Sequence, residues 1–175
     1  MNKYFIIPGL GNSGANHWQT YFENTELNFK RIMQSEWDSP LCGNWINKVD
    51  EEIIKHNLNE CILIGHSLGC ATIVHWAMKF ERIIKGAMLV APSDLESDTY
   101  KFPAKGFSPI PREKLNFQTI IVASENDKWV SIERAKYFAE CWGSEIINIG
   151  NAGHINAESG FGRWPEGLEI LKRIN

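Results

Sequence analysis

Cysteine is scarce in this chain. Cys42, Cys61, Cys70 and Cys141 are scattered over 175 residues with no C-x-x-C pair, which excludes a disulfide scaffold and leaves no zinc signature. Three of them lie in apolar segments and read as small buried hydrophobes. Long apolar runs are missing too. No stretch approaches the roughly 18 residues that a membrane span needs. The apolar run Tyr4 to Ile7 after Lys3 stops at Pro8 and Gly9, too soon for a signal peptide. Charge of one sign is also lacking. With 18 Lys plus Arg against 21 Asp plus Glu, a net charge of −3 and no block of like charges, the chain has no footprint for nucleic acid or an anionic membrane. The expectation is a cytoplasmic protein that binds neither. Repeats, low-complexity tracts and linkers are absent, so residues 1–175 read as one domain, long enough for a sizeable core.

What the chain does have is alternation. Short apolar runs bounded by Gly, Pro or Ser occur at Tyr4 to Ile7, Phe29 to Met33, Cys61 to Ile64, Ala87 to Ala91, Thr119 to Ala123 and Ile146 to Ile149. Several are apolar at consecutive positions, as strands buried on both faces are. Helical patterns lie between them. From Trp45, the residues Trp45, Val49 and Ile53 recur every four, with Lys48, Asp50, Glu51, Glu52 and Lys55 on the opposite face. Leu68 to Phe80 is small or apolar almost throughout and predicts a buried helix. Ser131 to Trp142 ends at Gly143, and Pro165 opens a last helix carrying Leu168, Leu171 and Ile174. The class is α/β, a mostly parallel six-stranded sheet with helices on both faces. Residues 92–116, with four of the seven prolines and no clean period, predict a wall or short lid beside a functional site.

Gly65-His66-Ser67-Leu68-Gly69 fits G-x-S-x-G where an apolar strand meets the buried helix. The glycines suit a strand-to-helix turn too tight for flanking side chains. Such a turn raises a serine hydroxyl at the sheet's end and aims the first helical N–H groups beside it. A serine hydroxyl is a weak nucleophile at neutral pH and needs a base, which in turn needs an orienting acid. His154 follows the last predicted strand in Gly150-Asn151-Ala152-Gly153-His154 and can reach the sheet's carboxyl edge. His66 occupies the variable elbow position, His75 lies on the helix after it, His56 ends a surface helix and His17 starts an early one. For the acid, Ser124-Glu125-Asn126-Asp127 follows the strand Thr119 to Ala123, giving the chain order Ser67, Asp127, His154 of α/β-hydrolases. Glu125 and Asp94 compete, although two further residues of loop let Asp127 curl back over the edge. Pro8-Gly9-Leu10-Gly11 follows the first strand, so the backbone N–H groups of Leu10 and Leu68 are the expected oxyanion donors.

Gly9-Leu10-Gly11-Asn12-Ser13-Gly14 is also a literal G-x-G-x-x-G, with Glu36 beyond it near where a ribose-binding acid would stand. That reading explains one loop, whereas a hydrolase explains four strand-end loops with one mechanism. The tryptophans, Trp18, Trp37, Trp45, Trp76, Trp129, Trp142 and Trp164, read as core and edge packers.

Together these residues resemble the small serine hydrolases of the α/β-hydrolase superfamily, the family that includes the retinoblastoma-binding serine hydrolase. The resemblance covers nearly the whole chain: Ile7-Pro8-Gly9 with Trp18, Trp37 to Pro40, the Gly65 to Gly69 elbow, Ser124 to Asp127, and Gly153-His154-Ile155-Asn156 continuing to Gly160-Phe161-Gly162. It implies a compact fold without a cap domain and Ser67, Asp127 and His154 as the triad. Lys128 departs from it, because the family often has Pro directly after the acid. No Leu-x-Cys-x-Glu motif is present, so a pocket-protein partner is not implied. The expected activity is hydrolysis of a small ester, thioester or amide through an acyl-enzyme, with a small-molecule acyl substrate and no cofactor or metal. The alternative of another class is a partner-binding module that keeps the fold without catalysis.

Overall fold

The six apolar runs become the six strands of one sheet in the structure, a computed structural model that describes residues 1–25 and 28–174. They are β1 (Lys3–Ile7), β2 (Phe29–Arg31), β3 (Cys61–His66), β4 (Gly86–Val90), β5 (Gln118–Ala123) and β6 (Glu145–Asn148). The order is β2-β1-β3-β4-β5-β6 and every pairing is parallel, so the expected mostly parallel sheet is parallel throughout. Alternate residues of each strand feed opposite faces. Phe5, Ile7, Leu63, Leu89 and Ile121 join one apolar cluster. Ile6, Ile62, Ile64, Met88, Val90 and Val122 join the other.

Helices α2 (Cys42–Ile53), α3 (Leu68–Phe80) and α4 (Ile132–Trp142) cover the first face, and α1 (Trp18–Glu23) and α5 (Pro165–Leu171) the second. α1 follows β1 and α3 follows β3, so the chain leaves these neighbouring strands toward opposite faces. That divergence opens a crevice at their carboxyl ends, the usual ligand position in open α/β sheets. No cap domain interrupts the alternation, and no helix among the described residues is long and apolar enough to cross a membrane.

Four expectations are corrected. β2 ends at Arg31, two residues early, on the sheet edge. Asp50 and Glu52, assigned to the solvent face of α2, are buried. Asp50 accepts hydrogen bonds from Trp76 Nε1 (3.1 Å) and Arg82 Nε (2.5 Å), and so ties α2 to α3. Glu52 is ringed by Lys30, Lys48 and Lys55, which hold its carboxyl down to about 2 through their hydrogen bonds. The last helix stops at Leu171, so Ile174 packs from the segment beyond it. Residues 92–116 are only in part a wall. Tyr100 and Phe102 reach the cavity, while Phe107, Ile110 and Leu115 are buried in the core, because long apolar side chains in a loop lose less by packing inward than by standing in water.

Candidate active site

Ser67 sits between β3 and α3 with φ 55° and ψ −122°, a combination that costs a non-glycine residue on the order of 1–3 kcal/mol. Tertiary contacts hold it there. A Cβ on Gly69 would stand 2.1 Å from the Ile7 carbonyl oxygen, and one on Gly9 2.9 Å from Ser67 Cβ. The start of α3 and the loop after β1 therefore press together across the crevice. Ser67 N–H donates to the Val90 carbonyl (3.0 Å), which fixes the elbow to β4. Among the described residues the Leu10 and Leu68 N–H groups donate to no protein acceptor. The space above Gly9 is taken by Ser67, and α1 starts only at Trp18, after a turn capped by His17. The glycine loop thus lacks the helix N-terminus that a dinucleotide pyrophosphate requires, and Glu36 is exposed at φ 52°.

His154 and Asp127 meet over the ends of β5 and β6. His154 Nδ1 donates to Asp127 Oδ2 at 2.8 Å, and the other carboxylate oxygen accepts the Trp129 N–H at 2.8 Å. Both residues are buried. The loops that carry them are stitched together. Ala152 N–H donates to Ser124 Oγ (2.9 Å), Gly153 N–H to Asn126 Oδ1 (2.7 Å) and Glu125 N–H to the Gly150 carbonyl (2.8 Å). The competing acids are engaged elsewhere. Glu125 accepts from Asn148 (2.9 Å) and Asp94 pairs with Arg134 Nε (3.0 Å). Lys128 leaves Asp127 undisturbed, because its ammonium turns away to lie 5.1 Å over the Trp129 ring. With Nδ1 committed to a carboxylate, the neutral imidazole carries its lone pair on Nε2.

Ser67 and His154 border one cavity of about 320 Å³, closed on other sides by Gly9, Leu10, Tyr100, Phe102 and Trp129. Leu10 borders it, whereas the Leu68 side chain is buried. Trp129 departs from the packing role read for the tryptophans, since it lines this cavity. Ser93, which sequence reasoning passed over, also borders it, as do His66 and His17, the two histidines set aside as bases. Ser93 Oγ lies 2.8 Å from Ser67 Oγ. Its one sequence signal is position, three residues past β4 at the same sheet edge. His66 Nε2 donates to the His154 carbonyl (2.9 Å) and its ring lies 4.9 Å from the His154 ring. Burial drives its pKa well down, helped by the charges of His154 and His17. His17, 4.7 Å from His66, is lowered to about 4 by burial, by Arg31 and by His154. Both rings are therefore neutral at pH 7 and place no cation beside His154.

The depressed His17 predicts acid sensitivity of the fold. Its folded pKa lies below its unfolded one, so the stabilisation is whole above pH 6.5 and is lost as pH falls toward 4. A displacement of that size corresponds to about 3 kcal/mol. His17→Asn keeps a side-chain acceptor for the Gln19 N–H that His17 Nδ1 now caps and removes the titration. Urea unfolding at pH 7, 5.5 and 4 is expected to show a flatter loss of stability in this variant than in wild type, and parallel losses would overturn the assignment.

The family model described as serine hydrolase matches residues 4–173. A YdeN-like hydrolase from Pectobacterium atrosepticum is 34% identical and superposes with a TM-score of 0.88, over 99% of this chain and 90% of that one. YdeN of Bacillus subtilis (strain 168), named as a hydrolase, is 22% identical over 97% of this chain and 94% of its own. The crystal structure of that gene product superposes with a TM-score of 0.77 at 18% identity, over 99% and 98% of the two chains. MGS-MChE2, an α/β hydrolase enzyme from a lagoon-sediment metagenome, gives a TM-score of 0.71 at 18% identity over 98% and 89%, a likeness of fold alone.

Proposed function

Because this chain belongs to the serine hydrolase family and is an esterase-like hydrolase, we propose that it cleaves small carboxylic esters, thioesters or amides through an acyl-enzyme on Ser67. The observation that carries this reading is the buried His154–Asp127 pair, held at 2.8 Å on the same cavity as a serine in strained elbow geometry. His154 Nε2 takes the Ser67 proton as Oγ attacks the carbonyl carbon, then returns it to the leaving alcohol, thiol or amine. Water attacks the acyl-enzyme by the same route in reverse. Asp127 holds the imidazole tautomer and stabilises the imidazolium. The Leu10 and Leu68 N–H groups, which have no acceptor among the described residues, are the proposed donors to the oxyanion. Every step is carried by these residues and backbone groups.

Labelling with a serine-directed phosphonate, with the adduct located by mass spectrometry, tests the reading, and an unlabelled Ser67 overturns it. Cavity size adds a further expectation. About 320 Å³ is at the low end of ligand pockets, and Tyr100, Phe102 and Trp129 pack edge to face beside it. Acetyl and butyryl p-nitrophenyl esters should show higher kcat/KM than decanoyl or longer ones. A preference for long chains would mean that the aromatic wall opens.

A further inference from the structure

We propose that Ser93 is a catalytic residue whose hydroxyl donates to Ser67 Oγ and accelerates breakdown of the acyl-enzyme. This rests on the acyl-enzyme reading above. Ser93 Oγ is 2.8 Å from Ser67 Oγ, Ser93 is 3% exposed, and among the described residues Ser67 is its only side-chain hydrogen-bond partner. The position is built rather than incidental. Ala91, two residues earlier, has a left-handed φ of 48°, which is strained for alanine, and its N–H continues the β4–β5 ladder to the Val122 carbonyl. One residue later the Asp94 N–H donates to the Trp129 carbonyl (2.9 Å), and the Asp94 carboxylate pairs with Arg134. Ser93 is thus anchored on both sides with its hydroxyl on the nucleophile.

Proton counting gives the direction. The two hydroxyls share one hydrogen bond in which either oxygen can donate, and His154 borders the same cavity with no hydrogen bond to Ser67 in this structure. Once Ser67 gives its proton to His154 Nε2 in the reaction, its Oγ can only accept, and the Ser93 O–H is then the donor. This donor favours one half of the reaction. During acylation the hydrogen bond is already made to the Ser67 hydroxyl, a good acceptor, in the ground state, so it gains less in that transition state. During deacylation water adds to the acyl carbon and gives a proton to His154 Nε2. The C–Oγ bond then breaks, its electron pair goes to Oγ, and His154 returns the proton there. Ser93 keeps its own proton throughout. Oγ begins that step as a weak acceptor and gains charge in the transition state, so the Ser93 hydrogen bond strengthens where it lowers the barrier.

The test is Ser93→Ala, which removes one oxygen and leaves Ala91, Pro92 and Asp94 in place. The acetyl-enzyme formed from p-nitrophenyl acetate is followed by quench and intact mass in both proteins. The rate constant for loss of the adduct is expected to fall tenfold to about a hundredfold, the usual effect of losing a hydrogen bond to a charged group. The acylation rate constant should change less than threefold, so kcat and KM fall together and a burst of p-nitrophenol appears. Ser93→Thr, which keeps the hydroxyl, should restore most of the deacylation rate. Equal losses in the two steps would make Ser93 a mere support for the Ser67 rotamer, and an unchanged deacylation rate would leave it no role; either overturns the proposal. Failure of wild-type Ser67 to form any adduct would instead overturn the acyl-enzyme reading itself.

Discussion

Ser67→Ala is expected to abolish phosphonate labelling and to lower kcat on the order of 10⁶-fold, the loss seen when the nucleophile of a triad is removed. No neighbouring group can replace it. The Ser93 hydroxyl is 2.8 Å away but sits on the loop after β4, outside the elbow that raises Oγ. It also lacks the adjacent helix N-terminus that stabilises developing charge at position 67. The fold should survive. Alanine has the same backbone demands at φ 55°, and the lost Ser67–Ser93 contact contributes about 1 kcal/mol, a shift of a few degrees in Tm for a domain of this size. Circular dichroism and thermal unfolding check folding, while labelling and ester turnover check chemistry. Undiminished turnover in a folded variant would remove Ser67 from the mechanism.

The elbow was legible because local and global signals agree there. An apolar strand, a helix small or apolar almost throughout and two glycines in register leave few arrangements, and the 2.1 Å approach that a Cβ at Gly69 would make on the Ile7 carbonyl shows what the second glycine serves. Strand positions were legible for the same reason, with ends shifted by one or two residues. Asp50 was not, because helical periodicity assigns a carboxylate to water unless its partners are known. Those partners, Trp76 and Arg82, lie 26 and 32 residues along the chain. Ser93 was missed likewise, and His66 and His17 were weighed only as bases, since their roles come from rings and hydroxyls that meet only across the crevice. The start of α1 past the glycine loop separates the two meanings of G-x-G-x-x-G, and no motif length reveals that. Lys128 unsettled the expected geometry after the acid. The backbone there is fixed instead by the Trp129 N–H on Asp127, a bond that does not depend on the intervening side chain.

Asp127→Asn should lower kcat on the order of 10⁴-fold near neutral pH, the cost of the same change in a serine protease, while Glu125→Gln and Asp94→Asn stay within about tenfold of wild type. Sequence left three carboxylates at strand ends, and the geometry separates them by what each already holds. Asp127 Oδ2 accepts from His154 Nδ1 at 2.8 Å, and its other oxygen is pinned by the Trp129 N–H. An asparagine fitted to the same contacts keeps its carbonyl oxygen on one N–H and presents an NH₂ to the other. If that NH₂ faces the imidazole, Nδ1 must become the acceptor, the proton moves to Nε2, and the base can no longer take a proton from Ser67. The change leaves the shape of the site intact and reverses its proton order, so kcat should fall with little change in KM. Glu125 bonds Asn148 in an exposed position and Asp94 pairs with Arg134. Their amides disturb loop contacts that neither touch His154 nor set its tautomer. Steady-state kinetics of the three single variants, with folding checked by circular dichroism, read the difference directly: a larger loss in Glu125→Gln or Asp94→Asn than in Asp127→Asn would assign the acid elsewhere.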